Sequence, residues 1–298
     1  MKQLQGVFAP VVTTFYRESG EVDVASFAAN IRAHLAAGLH GIVVTGSTGE
    51  AALLDNDERS ALTGAAREMV PPDRVLLIGT GAESTRTCLR LTRDAASRGA
   101  DGVLVVAPHY YGSAMTDAAL RAHYLRVAES SPVPVMLYSI PKYMHFALSA
   151  PLVAELAQHP NIIGIKDSSG NKETFAGYLA AQSDTFTVFT GNAPAFHHAL
   201  QAGARGGILA AALFAAGLSL DVYDSFKRGD EAAATAAQVR HAQLGAKIVG
   251  ELGVPGVKAA MDRVGLAGGT VRAPLTSLSE DQLATVANLM LSAELVAA

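Results

Sequence analysis

Lys166 closes a short β-branched run, "IIGIK", that begins at Ile162 and is bounded by Pro160 and Gly170. Such a run has the length and composition of a strand buried on both faces. Apolar surroundings disfavour an ammonium ion, and the free amine that remains is what attack on a carbonyl near neutral pH requires. Lys166 is therefore read as a Schiff-base nucleophile; the plainer alternative is a snorkelling or salt-bridged residue at a strand end. Asp167 should point to the opposite side, because side chains alternate along a strand, and reads as a loop anchor. Tyr138 ends the preceding apolar run, so if consecutive strands are neighbours its phenol reaches the amine. There it could relay protons as carbinolamine becomes imine and as a carbon–carbon bond is made or broken.

"GSTGE" at 46–50 follows another apolar run. Its glycines permit unusual backbone angles, and Ser47, Thr48 and the backbone amides could form a nest for a carboxylate or phosphate. Without a Gly-Lys-Ser/Thr ending it does not read as a nucleotide loop, and Glu50 reads as support for a helix start. The histidines form no metal-binding pattern: His197 and His198 are adjacent and face different ways, while His109 stands alone and is expected to pack beside Tyr110 and Tyr111. The chemistry implied at Lys166 needs no metal and no added cofactor. Cys88 is the single cysteine; it lies in a helical pattern with no Cys-x-x-Cys context, which excludes an internal disulfide and suggests a reducing, cytoplasmic compartment.

The elements that must position these residues follow from periodicity. Apolar runs occur at 6–15, 41–46, 75–81, 102–108, 134–141, 162–168, 186–191 and 206–214, separated by amphipathic segments such as "DVASFAANIRAHLAAG" and "TRTCLRLTRDAASRGA". Continuous rather than alternating runs suit parallel strands covered by crossover helices. Eight strand-helix units predict an α/β fold, a closed (β/α)8 TIM barrel, in residues 1–224. An open doubly wound sheet is the rival, but no glycine-rich dinucleotide fingerprint follows the first run. Residues 225–298 read as a helical extension of three helices, the last opened by a Ser279/Gln282 capping box. Half of the 298 residues are apolar and the net charge is −4, without basic runs. This composition fits a globular chain and offers no nucleic-acid footprint. The apolar stretch near the amino terminus is too short to span a membrane, and neither a secretory cleavage site nor an Arg-rich transit pattern is seen.

In a barrel of this kind the site lies at the carboxyl ends of the strands. The ordered set found there is "GSTGE", a Tyr-Tyr pair at 110–111, "YSIP" at 138–141, "GIKDSSG" at 164–170 and "TGN" at 190–192. Together with the helical tail, it resembles the dihydrodipicolinate synthase and N-acetylneuraminate lyase family of lysine-dependent aldolases. The resemblance implies a barrel, usually a homotetramer or homodimer, whose lysine condenses with the keto group of pyruvate or another small 2-oxo acid. It assigns Lys166 as the Schiff-base lysine, Tyr138 as the proton relay, and Ser47 and Thr48 as the hydroxyl pair beside the pyruvyl carboxylate. Gly49, Ser168, Gly191 and Asn192 are the further substrate-binding positions it suggests. Tyr111, or failing that Tyr110, matches the tyrosine that reaches a neighbouring subunit's site. Where the lysine-biosynthesis branch carries an arginine for aspartate semialdehyde, "YSIPKYMHF" carries Tyr143, with Lys142 as a substitute charge lacking the arginine fork. "APHYYGSAM", "YSIP" and the tail look most like the 4-hydroxy-2-oxoglutarate aldolase branch, implying cleavage to pyruvate and glyoxylate. The alternatives are a dihydrodipicolinate synthase, another 2-keto-3-deoxy sugar acid aldolase or dehydratase, or a non-catalytic barrel that binds pyruvyl ligands.

Overall fold

Each of the eight apolar runs contributes one strand to the structure, a computed structural model that describes residues 4–296. The first residues of the stretch read for a targeting signal lie outside that range. The strands are β1 (Gly6–Pro10), β2 (Gly41–Val44), β3 (Val75–Gly79), β4 (Gly102–Val106), β5 (Val135–Ser139), β6 (Ile162–Asp167), β7 (Thr187–Thr190) and β8 (Gly206–Ile208). All pair in parallel with their sequence neighbours, and β8 returns to β1 to close the barrel. Several strands end well before the apolar runs do. Beyond Ile208, for example, Ala210–Leu213 forms a 3-10 turn, because apolar residues also line the rim loops and composition alone does not separate the two.

Between the strands run α1 (Val24–Ala36), α2 (Asn56–Met69), α3 (Thr85–Ser97), α4 (Asp117–Ser130), α5 (Pro141–Met144), α6 (Ala150–Leu156), α7 (Lys172–Leu179) and α8 (Phe196–Gln201), with α9 (Ala216–Lys227) after β8. Their starts are set locally: the side chains of Asp55, Ser84 and Thr116 each accept a hydrogen bond from the amide three residues on, satisfying donors that a helix start leaves free. The tail comprises α10 (Glu231–Leu244), α11 (Gly253–Arg263) and α12 (Glu280–Ser292). A π-helical segment, Gly245–Glu251, links the first two. The Ser279/Gln282 capping box is present in both directions.

One irregularity aims the site. Val135 is in register with Ile162, but Met136 with Gly164, so β6 carries one extra residue at Ile163. Without that bulge Tyr138 would align with Ile165; with it, Tyr138 aligns with Lys166. A bulge of this type re-aims side chains at a barrel rim. Gly164 fits the spot because a Cβ there would come within 2.3 Å of the Thr187 carbonyl oxygen.

Candidate active site

Lys166 and Tyr138 meet at the carboxyl-terminal rim on neighbouring strands. Lys166 Nζ lies 4.1 Å from the centroid of the Tyr138 ring, and the two residues are 6% and 4% exposed. The amine is therefore not snorkelling into solvent. Among the described residues the ion pairs do not include it, so the salt-bridged alternative also falls away. Ser168 Oγ lies 3.5 Å from Tyr138 Oη. Asp167 faces away as expected: its carboxylate accepts from the Ser169 amide at 3.1 Å and hydroxyl at 2.7 Å, and burial pushes its pKa up to about 6. Gly191 leaves room for the amine, since a Cβ there would stand 2.0 Å from Ser168 Oγ and 2.8 Å from Lys166 Cε.

These residues open into a cavity of about 280 Å3. Ser47, Thr48, Ser168, Gly191, Asn192 and Tyr143 line it with the lysine and tyrosine. Asn192 also spends its side-chain oxygen capping the Ala195 amide. Gly49 is not in the lining; its carbonyl accepts a 2.7 Å hydrogen bond from Thr13 Oγ1, and its backbone packs where a Cβ would meet the Val11 carbonyl oxygen at 3.0 Å. The glycines of "GSTGE" do not supply the unusual backbone angles expected of them. Positive φ falls instead on Thr45 (51°) and Glu50 (55°), and a β-branched residue there marks genuine local strain.

Glu50 precedes the 3-10 turn Ala51–Leu53 but makes no side-chain cap there, so it does not support a helix start in the way expected of it. Its carboxylate is buried and pairs with Lys258 Nζ of α11 at 2.5 Å. Burial holds the Lys258 pKa below its ordinary value, an effect that Glu50 opposes. The adjoining tail is fastened by Arg272, which donates to both carboxylate oxygens of Glu58 at 2.6 Å. This pair holds the Glu58 carboxyl below the usual carboxylate range.

Tyr143 sits on α5, and burial pushes its phenol above the ordinary value. Lys142 also lines the cavity, with Nζ donating to the Gly250 carbonyl at 2.8 Å. Tyr111 is not brought into its own chain's cavity: Tyr110 and Tyr111 are 77% and 69% exposed and stack edge to face at 5.0 Å. His109 takes Glu83 as its partner, with Nδ1 3.2 Å from Oε1, while Glu83 Oε2 accepts from the His109 and Tyr110 amides. Hydrogen bonding thus sets the histidine, where ring packing was expected. Cys88 is buried, and its thiol is pushed up to about 12. Among the described residues no cluster of His, Cys, Asp or Glu could hold a metal ion, and no helix is long and apolar enough to cross a membrane.

The far wall was not legible in the sequence. Ala246, Val249, Gly250, Val254 and Val257 of the tail complete the cavity. The glycine-dense "GAKIVGELGVPG" is the one available signal, since a helix that approaches a pocket closely favours small residues.

A family model described as the Dihydrodipicolinate synthetase family matches residues 3–293. A 4-hydroxy-tetrahydrodipicolinate synthase of Methanoculleus marisnigri is 36% identical over 282 residues, covering 93% of this chain and 94% of that one. A probable mitochondrial 4-hydroxy-2-oxoglutarate aldolase of Emericella nidulans is 39% identical over 192 residues, covering 63% and 62%. Among solved structures, a prophage protein of the dihydrodipicolinic acid synthase family from E. coli K12, in complex with pyruvate, superposes with a TM-score of 0.92 at 30% identity, covering 98% of this chain and 99% of that one.

Proposed function

The chain belongs to the dihydrodipicolinate synthetase family, and from that premise we propose a class I aldolase that cleaves 4-hydroxy-2-oxoglutarate to pyruvate and glyoxylate through a Schiff base on Lys166. The observation that carries the reading is a buried amine with no carboxylate partner among the described residues, set over a tyrosine ring at the floor of a cavity. Lys166 Nζ attacks C2 of the 2-oxo acid, and loss of water leaves an imine. Tyr138 Oη accepts the proton of the C4 hydroxyl while its own phenolic proton passes on to water as the C3–C4 bond breaks; glyoxylate departs and the bonding electrons pass into the protonated imine to give an enamine. Protonation at C3 and hydrolysis return pyruvate and the free amine. Ser47 and Thr48, which line the same cavity, hold the C1 carboxylate in this reading, so that binding serves geometry. Lys142, which spends one of its three donors on Gly250, is available at the outer wall for the second carboxylate.

A second reading is a dihydrodipicolinate synthase condensing pyruvate with aspartate semialdehyde. It is favoured by the full-length similarity to synthases. Tyr143, standing where the resemblance calls for an arginine, weighs against it. Assembly into a homotetramer or homodimer belongs to the proposal, because the exposed Tyr110/Tyr111 pair has the form of a group offered to a neighbouring subunit. Tyr111→Phe should then reduce turnover while leaving the oligomer intact, and an enzyme with full activity would remove that role. A cytoplasmic setting completes the reading, on the single buried Cys88.

Incubation with pyruvate and borohydride should leave a reduced adduct at Lys166 by mass spectrometry, absent in Lys166→Ala. Cleavage of 4-hydroxy-2-oxoglutarate, measured against condensation of pyruvate with aspartate semialdehyde, separates the two readings. No adduct at position 166 would end both.

A further inference from the structure

Lys258 and Glu50 form an ion pair whose side chains are 1% and 0% exposed. Replacing such a pair by apolar residues is often neutral or stabilising, so stability gives no reason for its position. Its connections do. Glu50 Oε2 accepts from the Arg272 amide at 2.8 Å, and Lys258 Nζ also donates to the Thr270 carbonyl at 2.6 Å and lies 4.6 Å from the Phe15 ring centroid. The carboxylate is thereby held from two sides of the tail. On its own side, Glu50 ends the turn that carries Ser47 and Thr48, with its amide donating to the Ser47 carbonyl at 3.1 Å. On the other side, Val257, next to Lys258, and Val254, one helical turn earlier, line the cavity. The backbone after α11 is equally close-set, because a Cβ on Gly268 would stand 1.9 Å from the Lys258 carbonyl oxygen.

We infer that Glu50 and Lys258 are positioning residues, which fix the Ser47–Thr48 turn against the tail wall and so set the affinity for the carboxylate of the 2-oxo acid. The inference rests on the Schiff-base reading of Lys166 and adds residues that touch no substrate.

The readout is the pyruvate concentration giving half-maximal borohydride trapping at Lys166, together with the melting temperature. Glu50→Asp keeps the charge but shortens the reach by one methylene. Glu50→Gln combined with Lys258→Met removes both charges and leaves no unpaired ion buried. Both variants should raise the half-saturating concentration about tenfold or more, keep the melting temperature within a few degrees, and still reach full labelling at saturating pyruvate. Wild-type affinity in either folded variant overturns the positioning role and leaves the Lys166 chemistry standing. No adduct in the wild-type chain removes the Schiff-base reading, and this inference with it. Should the doubly neutral variant not fold, Glu50→Asp alone decides.

Discussion

Tyr138 and Lys166 touch only because a one-residue bulge and a missing side chain allow it. The bulge at Ile163 aligns their strands, and Gly191 leaves the volume that the lysine stem occupies. Gly191→Ala should therefore damage the site more than the fold. Overpacking typically costs about 1–3 kcal/mol of stability, whereas the new methyl would press on Lys166 Cε and Ser168 Oγ directly. The expected result is a modest fall in melting temperature with loss of most pyruvate trapping. Full labelling at wild-type affinity would show that the lysine has room to spare. Tyr138→Phe probes the other partner. It keeps the ring against the amine but removes the hydroxyl proposed as the proton relay, so trapping should persist while turnover falls by roughly 10²–10⁴, the range for a positioned acid-base group. Turnover close to wild type would pass the relay to another group.

Above the residues, the π-helical segment Gly245–Glu251 is the element that makes a rim into a pocket. It seats against the turn after β7, where a Cβ on Gly245 would stand 2.6 Å from Ala193 Cβ and 2.8 Å from Pro194 Cδ. Gly245→Val should lift this wall, raising KM for the proposed substrate several-fold while the proposed Lys166 adduct still forms. Steady-state kinetics beside the trapping assay would show it, and an unchanged KM would mean that the wall does not bear on substrate. The same element shows where sequence reading ends. Strand identity, barrel class and the Lys166/Tyr138 pair were legible, because local periodicity and residue type carry them. The bulge was not, since one extra residue in "NIIGIK" leaves the apolar run unbroken. The tail wall and the Glu50–Lys258 pair were not legible either: their partners lie some 200 residues apart in the chain, and no local pattern encodes that distance. The motif marks Gly49 as a binding residue, whereas its contacts with Thr13 and Val11 hold the turn.

The molecule as a whole carries a pH dependence that its chemistry at the rim does not explain. His34 on α1, His123 on α4 and His241 on α10 are 2%, 6% and 0% exposed, and burial pushes each down to about 4. An unfolded histidine titrates near 6.5. Between those values the unfolded chain binds more protons than the folded one, so folding stability is fully present above about pH 6.5 and is lost as the pH falls toward 4. At about 1.36 kcal/mol per pKa unit, each histidine is linked to roughly 2 kcal/mol by pH 5. Asp167 acts in the opposite sense. Its pKa is raised to about 6, so its contribution is greatest below the unfolded carboxylate value and is lost as the pH rises through 6. With three histidines against one aspartate, urea melts between pH 7 and pH 5 should show the midpoint falling steadily with pH. His241→Gln should flatten that slope, since a glutamine can still meet Ser219 Oγ, the 2.8 Å partner of the imidazole, without titrating. A midpoint that holds or rises on acidification would mean that these imidazoles gain protons within the fold, and that the helical layer around the barrel is wetter than its burial indicates.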